Sequence, residues 1–413
     1  MSARFPHLKL FLLFTLALLL ALQRGKPDPF LWDEDMGEGK VSVRFLSFCQ
    51  EEEGGVLCRC EITGGDFPEL YGKKAYLRVY GASHFHHPWR VEGWMKVRVK
   101  EGRVWMTTYA GDLEPYYGPM PLRERLLQRL EEKIKDPSVR SLVATFFMGE
   151  DMSLLPLRVQ YYYTATGLVH LLVVSGGHLG ILFLLTRHLL PYRYGLVLSA
   201  VVISAYALLL VPQEPPVLRA YFMILLYIIL RLLYERPDIF GLLLFSGVVL
   251  LVLFPQMVYS YSFWLSFCGT AFLILSFRNI SFPEGVKGWW ISSLWASFFA
   301  FLGVSPILAL FTHITPLTVI LTPLLTPIVL PFSFYGFVDL FTGFSLPSLP
   351  LEFLAKVMNI TVAYASTVAP QLEWEVSFYG VVVTEVVGML ILYLTKGYRK
   401  LLVVPLFLIA SFL

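Results

Sequence analysis

Charge is scarce in this sequence: only 15% of its 413 residues are Asp, Glu, Lys or Arg, against 56% apolar. Water-soluble chains run nearer a quarter charged, so a cytosolic globular protein of this size is excluded. Cysteine is scarcer still. Cys49, Cys58, Cys60 and Cys268 have neither paired C-x-x-C spacing nor histidines at ligand distance, which argues against a structural zinc site. No G-x-x-x-x-G-K-[ST] occurs, so energy for any transport has to come from outside this polypeptide. The formal net charge of +3 is too small, averaged over the molecule, to argue for a nucleic-acid partner. Small residues at cleavage spacing are also missing after the first apolar run, 10–22, where the chain continues Ala21-Leu22-Gln23-Arg24. That run therefore reads as an uncleaved anchor, and the basic residues before it place the next segment outside the membrane.

What the sequence has in abundance is uncharged apolar stretches, about ten of them after residue 167. At roughly 20 residues per crossing they leave one stretch long enough to fold in water. The expected architecture is a polytopic α-helical membrane protein of about 9–11 spans with an extracytoplasmic β-barrel at its N-terminal end. Its parts are a membrane anchor (1–22), a β-rich domain (23–120), an amphipathic helix and connector (121–166), and a multi-pass domain (167–413). Placing Arg187, Arg193, Arg231, Arg236, Arg278, Lys287, Lys396, Arg399 and Lys400 on the cytoplasmic side gives consistent crossings. Within 316–343, Pro316, Pro323, Pro327 and Pro331 are expected to break a simple helix, a form tolerated in protein or along a water-filled cavity. The last span is expected over 401–413.

Period-two alternation marks five strands, over 41–46, 56–62, 74–80, 90–99 and 103–109, with glycine-containing turns between them. Five short strands suggest a small barrel, the OB-fold being one option. Residues 54–111 carry nine Lys and Arg against five Asp and Glu. Tyr76, Arg78 and Tyr80 share a strand face, as do Trp94, Lys96 and Arg98. Aromatic and basic side chains so placed suit stacking on single-stranded nucleic acid, although aromatic cross-strand pairs on a solvated face give the same pattern. Cys49 could pair with Cys58 or Cys60 in an oxidising compartment, or all three could be buried thiols. His84, His86 and His87 read as a surface turn rather than a metal site. Leu122, Leu126, Leu127, Leu130 and Ile134 make the apolar face of an amphipathic helix whose other side holds Arg123, Arg125, Glu131 and Lys133.

The densest polar cluster in any apolar stretch comprises His170, Ser175, Gly176, Gly177, His178 and Gly180. On one helix the two histidines, eight apart, fall near one face. Ionisable groups inside a membrane are expensive and normally face a bundle interior or a pathway. The plainer reading is helix packing through Gly176 and Gly180 around satisfied histidines. Ser175 as a nucleophile with His178 or His170 as base lacks an acid to orient the base.

Phe147-Met148-Gly149-Glu150, followed by Thr166-Gly167-Leu168-Val169-His170-Leu171-Leu172-Val173-Val174-Ser175-Gly176-Gly177-His178-Leu179-Gly180, resembles the signature of the ComEC competence-protein family. Pro216-Val217-Leu218-Arg219-Ala220 is similar to that family's Pro-x-x-Arg-Ala, and Ser262-Phe263-Trp264-Leu265-Ser266-Phe267 to its Phe-x-Leu-Ser-Phe; the region from Pro306 to Pro327 matches a late polar, proline-containing span. The resemblance implies an inner-membrane channel passing single-stranded DNA into the cytoplasm during natural transformation, with an OB-like extracytoplasmic domain. It implies no cofactor or enzymatic activity. Its implied partners are membrane lipid, a periplasmic DNA receptor, a cytoplasmic helicase-like ATPase and a separate nuclease. The last follows because many members continue into a metallo-β-lactamase-like domain for which this chain has no room. The expected passage is lined by His170, Ser175, Gly176, Gly177, His178, Gly180, Arg219, Ser262, Ser266, Pro323 and Pro327, with Arg219 near its outer mouth. Gly177, Trp264 and Thr322 depart from the family's usual residues, so the polar lining differs. A small-solute permease is the alternative reading, and an intramembrane serine hydrolase a third.

Overall fold

The computed structural model describes residues 7–25, 34–45, 50–52, 54–81, 90–100, 103–115, 122–152 and 155–409. The chain forms two units, 27–145 with 150–156, and 1–26 with 146–149 and 157–413.

In the first of these, alternation builds seven strands: β1 (Glu34–Phe45), β2 (Gln50–Glu52), β3 (Gly55–Gly65), β4 (Lys74–Tyr80), β5 (Arg90–Lys100), β6 (Arg103–Tyr109) and β7 (Leu113–Pro115). Five of them close a barrel in the order β1-β3-β4-β6-β5, with β5 pairing back to β1; β2 adds to β3 and β7 to β5. Every neighbour is antiparallel except β4 and β6. Alternate residues point inward, so Val43, Phe45, Ile62, Leu77, Val79, Val97 and Met106 share one core. Each such side chain contributes about 1.5–3 kcal/mol by leaving water. The expected strands are all present, but β1 begins seven residues earlier than its alternation does. Its polar first half is held by β5, which pairs with residues 34–44 across a register shift at Asp35/Gly37. This closes the barrel and hides an otherwise unpaired edge.

The amphipathic helix is α2 (Leu122–Lys133). Leu126, Leu127 and Leu130 are buried as expected, yet Leu122 is 48% exposed while Arg123 and Glu124 are buried. The polar face is therefore misassigned by periodicity alone. Arg123 pairs with Glu150 at 2.6 Å and Glu124 with Arg90 at 2.8 Å. These partners offset the desolvation that would otherwise turn both groups outward. Burial nevertheless holds the Glu150 carboxyl above its usual range, with Arg123 opposing it.

The helix α3 (Pro137–Met148) follows, and the second unit continues with α4 (Leu157–Ala165), α5 (Val169–Leu172), α6 (Gly176–Arg187), α7 (Tyr192–Ala205), α8 (Pro215–Leu232), α9 (Ile239–Leu253), α10 (Tyr261–Phe277), α11 (Gly285–Leu302), α12 (Ser305–Leu308), α13 (Thr318–Phe341), α14 (Leu349–Ser366), α15 (Phe378–Leu394) and α16 (Val404–Ile409). Among the described residues four segments are long and apolar enough to cross a membrane: Val169–Arg187, Tyr192–Leu210, Pro215–Leu232 and Thr318–Phe341. Shorter apolar helices are α9, α10 and α15. The chain is thus a multi-pass membrane protein with a small barrel. At its N-terminal end α1 (Leu8–Arg24) packs Phe14, Ala17 and Ala21 among Leu243, Leu244 and Phe267.

Two expectations are corrected here. The proline-rich stretch does not break: α13 runs unbroken through Pro323, Pro327 and Pro331. Prolines four apart leave their missing donors along one side of the helix, and the other rows of hydrogen bonds carry it through. The stretch after residue 400 is not one long span, since residues Gly397–Val403 form a 3-10 helix before the six-residue α16.

Candidate functional site

The apolar run from Gly167 stops being helical after Leu172, because Val173 and Ser175 adopt extended backbone. Ser175 then caps α6. Its Oγ accepts from the Gly177 N–H at 3.3 Å, while its own N–H donates to His178 Nδ1 at 3.1 Å. This is a capping box in which histidine stands where Glu or Gln is usual. Accepting through Nδ1 fixes the neutral ring with its proton on Nε2. That nitrogen is buried without a partner, and the ring packs edge-on to Phe146 at 4.3 Å.

The break separates the two histidines that a continuous helix would have aligned. His178 is 5% exposed, whereas His170 is exposed on α5 with Nδ1 3.0 Å from the Gly167 carbonyl. The geometry also weighs against Ser175 as a nucleophile. Although Ser175 Oγ lies 3.3 Å from His178 Nδ1, both atoms are engaged with backbone N–H groups at the helix start.

Gly176 sits where α6 meets α8. A Cβ there would lie 3.0 Å from Arg219 Nη2 and 3.3 Å from Ala220 Cβ, so a larger residue would require the guanidinium and α8 to give by a few tenths of an ångström. Arg219, in the first turns of α8, is 7% exposed. Its Nη1 donates to the Ser266 carbonyl at 2.8 Å and to Thr270 Oγ1, both on α10, and its Nε has no partner. The N-terminal end of α6 and a buried guanidinium therefore share one place, and both are electropositive. Ser262, one turn before Ser266, is exposed, as is Gly177, and nothing lies within 4 Å of a Cβ on Gly180. Gly180 is accordingly not a packing contact. On α13, Pro323 is buried and Pro327 exposed.

The remaining sequence blocks join the same bundle. Phe147 packs against Phe332 and Phe337 of α13, and its carbonyl accepts from the Tyr206 hydroxyl at 2.9 Å. Tyr206 begins a π-helical turn, Tyr206–Leu210, that extends α7. Gly149 turns the chain with φ +64° against Pro212 and Val174. Thr315 and Thr318 donate to the carbonyls of Ala165 and Gly167 at 3.1 and 3.3 Å, pinning the turn before α5. Thr270, Phe146, Phe332 and Thr318 were not singled out from sequence. Thr270 alone carried a signal, a hydroxyl one helical turn beyond Ser266.

On the barrel, Tyr76, Arg78, Tyr80, Trp94, Lys96 and Arg98 all point away from the core. Because β6 lies between β4 and β5, it contributes Trp105, Thr107 and Tyr109 to the centre of that face. Tyr76 stacks on Trp105 at 4.8 Å, Trp105 is in register with Arg98, and Tyr80 lies 5.7 Å from Tyr109. A depression of about 330 Å³ is lined in part by Tyr80, Trp94, Lys96 and Tyr109, with Glu38 and Asp112 at its edge. The cations are not all unpaired: Arg98 donates to Asp35 at 3.1 Å and Lys96 lies 3.9 Å from the same carboxylate. Cys58 is disulfide-bonded, Cys60 is a buried free thiol, and Cys49 lies outside the described residues. His84, His86 and His87 also lie outside them. Among the described residues no group of three or more His, Cys, Asp or Glu could hold a metal.

Comparison with known proteins follows the same blocks. A family model described as competence protein matches residues 147–400. An uncharacterized protein of Aquifex aeolicus (strain VF5) is 36% identical over 412 residues, covering 98% of this chain and 96% of that protein. No solved structure matches. The matched stretch runs from Phe147 through α6, α8, α10 and α13, the helices whose motif residues meet in the bundle, and the chain belongs to the competence protein family.

Proposed function

We propose that this protein is an inner-membrane channel that passes single-stranded DNA into the cytoplasm during natural transformation. The observation that carries the reading is the convergence of sequence blocks up to about ninety residues apart on one electropositive place, where Gly176, Arg219 and the Ser266 carbonyl adjoin. A phosphodiester is drawn to a helix N-terminus and a guanidinium. Here the guanidinium already gives one of its edges to Ser266 and Thr270, which moderates its hold. Moderation matters, because conduction fails where a permeating ion binds too tightly.

The barrel is read as an OB-type module outside the membrane. In support, its five long strands close in the order first, second, third, fifth, fourth, with the third and fifth parallel. Its aromatic face suits sequence-independent stacking of bases. In this reading the basic loops face the cytoplasm, with Arg231 twelve residues, about 18 Å, along α8 from Arg219. Partners consistent with this reading are a periplasmic DNA receptor that delivers a strand, a cytoplasmic helicase-like ATPase that draws it in, and a separate nuclease that removes its complement.

The test is to delete the gene cleanly in the source organism and follow labelled duplex DNA. Label that reaches the periplasm but no longer becomes cytoplasmic supports the reading. Unchanged cytoplasmic label and transformation overturn it.

A further inference from the structure

Glu385 lies in the middle of α15, among Val381, Val382, Val383, Val386 and Val387. It is 6% exposed, and no backbone N–H, hydroxyl or charged group is hydrogen-bonded to either carboxyl oxygen. The polar group beside it is the Cys268 thiol of α10. Among the described residues the elements packed most extensively on α15 are α10, α12, the 3-10 segment Gly397–Val403 and α16. Their titratable groups, besides Cys268, are Lys400, Tyr398, Arg399 and Tyr261, the last exposed at the N-terminal end of α10. Lys400 is committed to the Leu275 carbonyl, and Tyr398 and Arg399 are exposed. On its own helix the neighbouring hydroxyl, Thr384 Oγ1, donates to the Gly380 carbonyl at 2.7 Å.

A carboxylate held this way, with a weakly donating thiol beside it and no cation, would cost several kcal/mol, so the arrangement fits the neutral acid. The position is also linked to the site above. On α10, Ser266 and Thr270 face Arg219, and Cys268, two residues from each, lies about 200° around the helix, on its other side. One helix therefore separates the buried cation from the buried acid.

We propose that Glu385 is a proton-exchange site inside the bundle, neutral when α15 is seated on α10 and ionised, its proton passed to water, when α10 moves. The exchange makes and breaks only the O–H bond. Its use in transport rests on the channel reading; the presence of the exchangeable proton does not.

The experiment uses the full-length protein in lipid nanodiscs with dicyclohexylcarbodiimide, which adds to protonated carboxyls in apolar surroundings as the acid proton moves to a carbodiimide nitrogen. Peptide mass spectrometry is expected to find Glu385 modified at neutral pH at least tenfold faster than the exposed Glu373. The rate should fall at alkaline pH, and the adduct should be absent in Glu385→Gln. An unmodified Glu385 in protein that retains its thermal transition overturns the proposal. Thr270→Val, which removes one Arg219 contact, should change the labelling rate at least threefold; an unchanged rate overturns the link through α10. In cells, Glu385→Gln should lower DNA import at least tenfold at normal protein level while Glu385→Asp keeps most of it. Import by Glu385→Gln at the wild-type level overturns the transport role. Labelling as expected, with import unaffected by deletion of the gene, instead overturns the channel reading and leaves the proton site standing.

Discussion

Arg219 shows how much of a side chain's setting is decided by partners distant in sequence. Its charge among apolar residues marks it in the sequence, and nothing local says that it turns inward to α10. Its planar fork lets Nη1 serve the Ser266 carbonyl and Thr270 together, which a lysine ammonium cannot reproduce with the same geometry. Arg219→Lys is therefore expected to lower DNA import nearly as much as Arg219→Ala, with membrane insertion intact, as measured by transformation frequency and by protein level in membrane fractions. Import by Arg219→Lys at the wild-type level would leave charge alone as the requirement. A second residue-scale expectation concerns Cys60. It is fully buried in the barrel, its Sγ 3.5 Å from the Ala75 carbonyl, and burial pushes its thiol well above the usual range. Thiolate, the reactive form, is scarce there. Iodoacetamide at pH 8 should leave Cys60 unmodified in the native protein and alkylate it after denaturation, read by peptide mapping; native labelling would contradict the buried position.

At the scale of elements, the break between α5 and α6 assigns His178 a role that its chemistry does not require. The ring closes a capping box, and glutamine at that position does the same. His178→Gln should therefore retain both the thermal transition and DNA import, while His178→Ala loses about 1 kcal/mol of helix-start stability. Calorimetry of the purified protein and transformation assays check the pair. Loss of import by His178→Gln at unchanged stability would instead show that the imidazole itself is used. α13 makes the opposite point. Prolines in an apolar stretch suggest an interrupted helix, yet their spacing of four puts the gaps on one side, and α13 stays straight enough to set Phe332 and Phe337 against Phe147.

At the scale of the molecule, the barrel face predicts how DNA affinity responds to salt and to truncation. Tyr76 and Trp105 are stacked at its centre. Replacing either by Ala should cost about 1–3 kcal/mol in single-stranded DNA binding by the full-length protein. Binding should also weaken steeply as salt rises, the mark of phosphate contacts. Fluorescence anisotropy with a short oligonucleotide measures both, and salt-independent binding, or none, would remove the face from the model. The membrane class, the barrel's strands and the polar motif blocks were legible in the sequence, because composition, period-two alternation and the cost of intramembrane polarity are local properties. Trp105 and Tyr109 were as visible as Tyr76, but only the strand order places β6 between β4 and β5 and so puts them at the centre of the face. The burial of Arg123 and Glu124, the separation of His170 from His178, the inward turn of Arg219 and the isolation of Glu385 depended on partners distant in sequence. Local pattern names the residues that are costly to bury, and only the tertiary structure decides which of them find a partner.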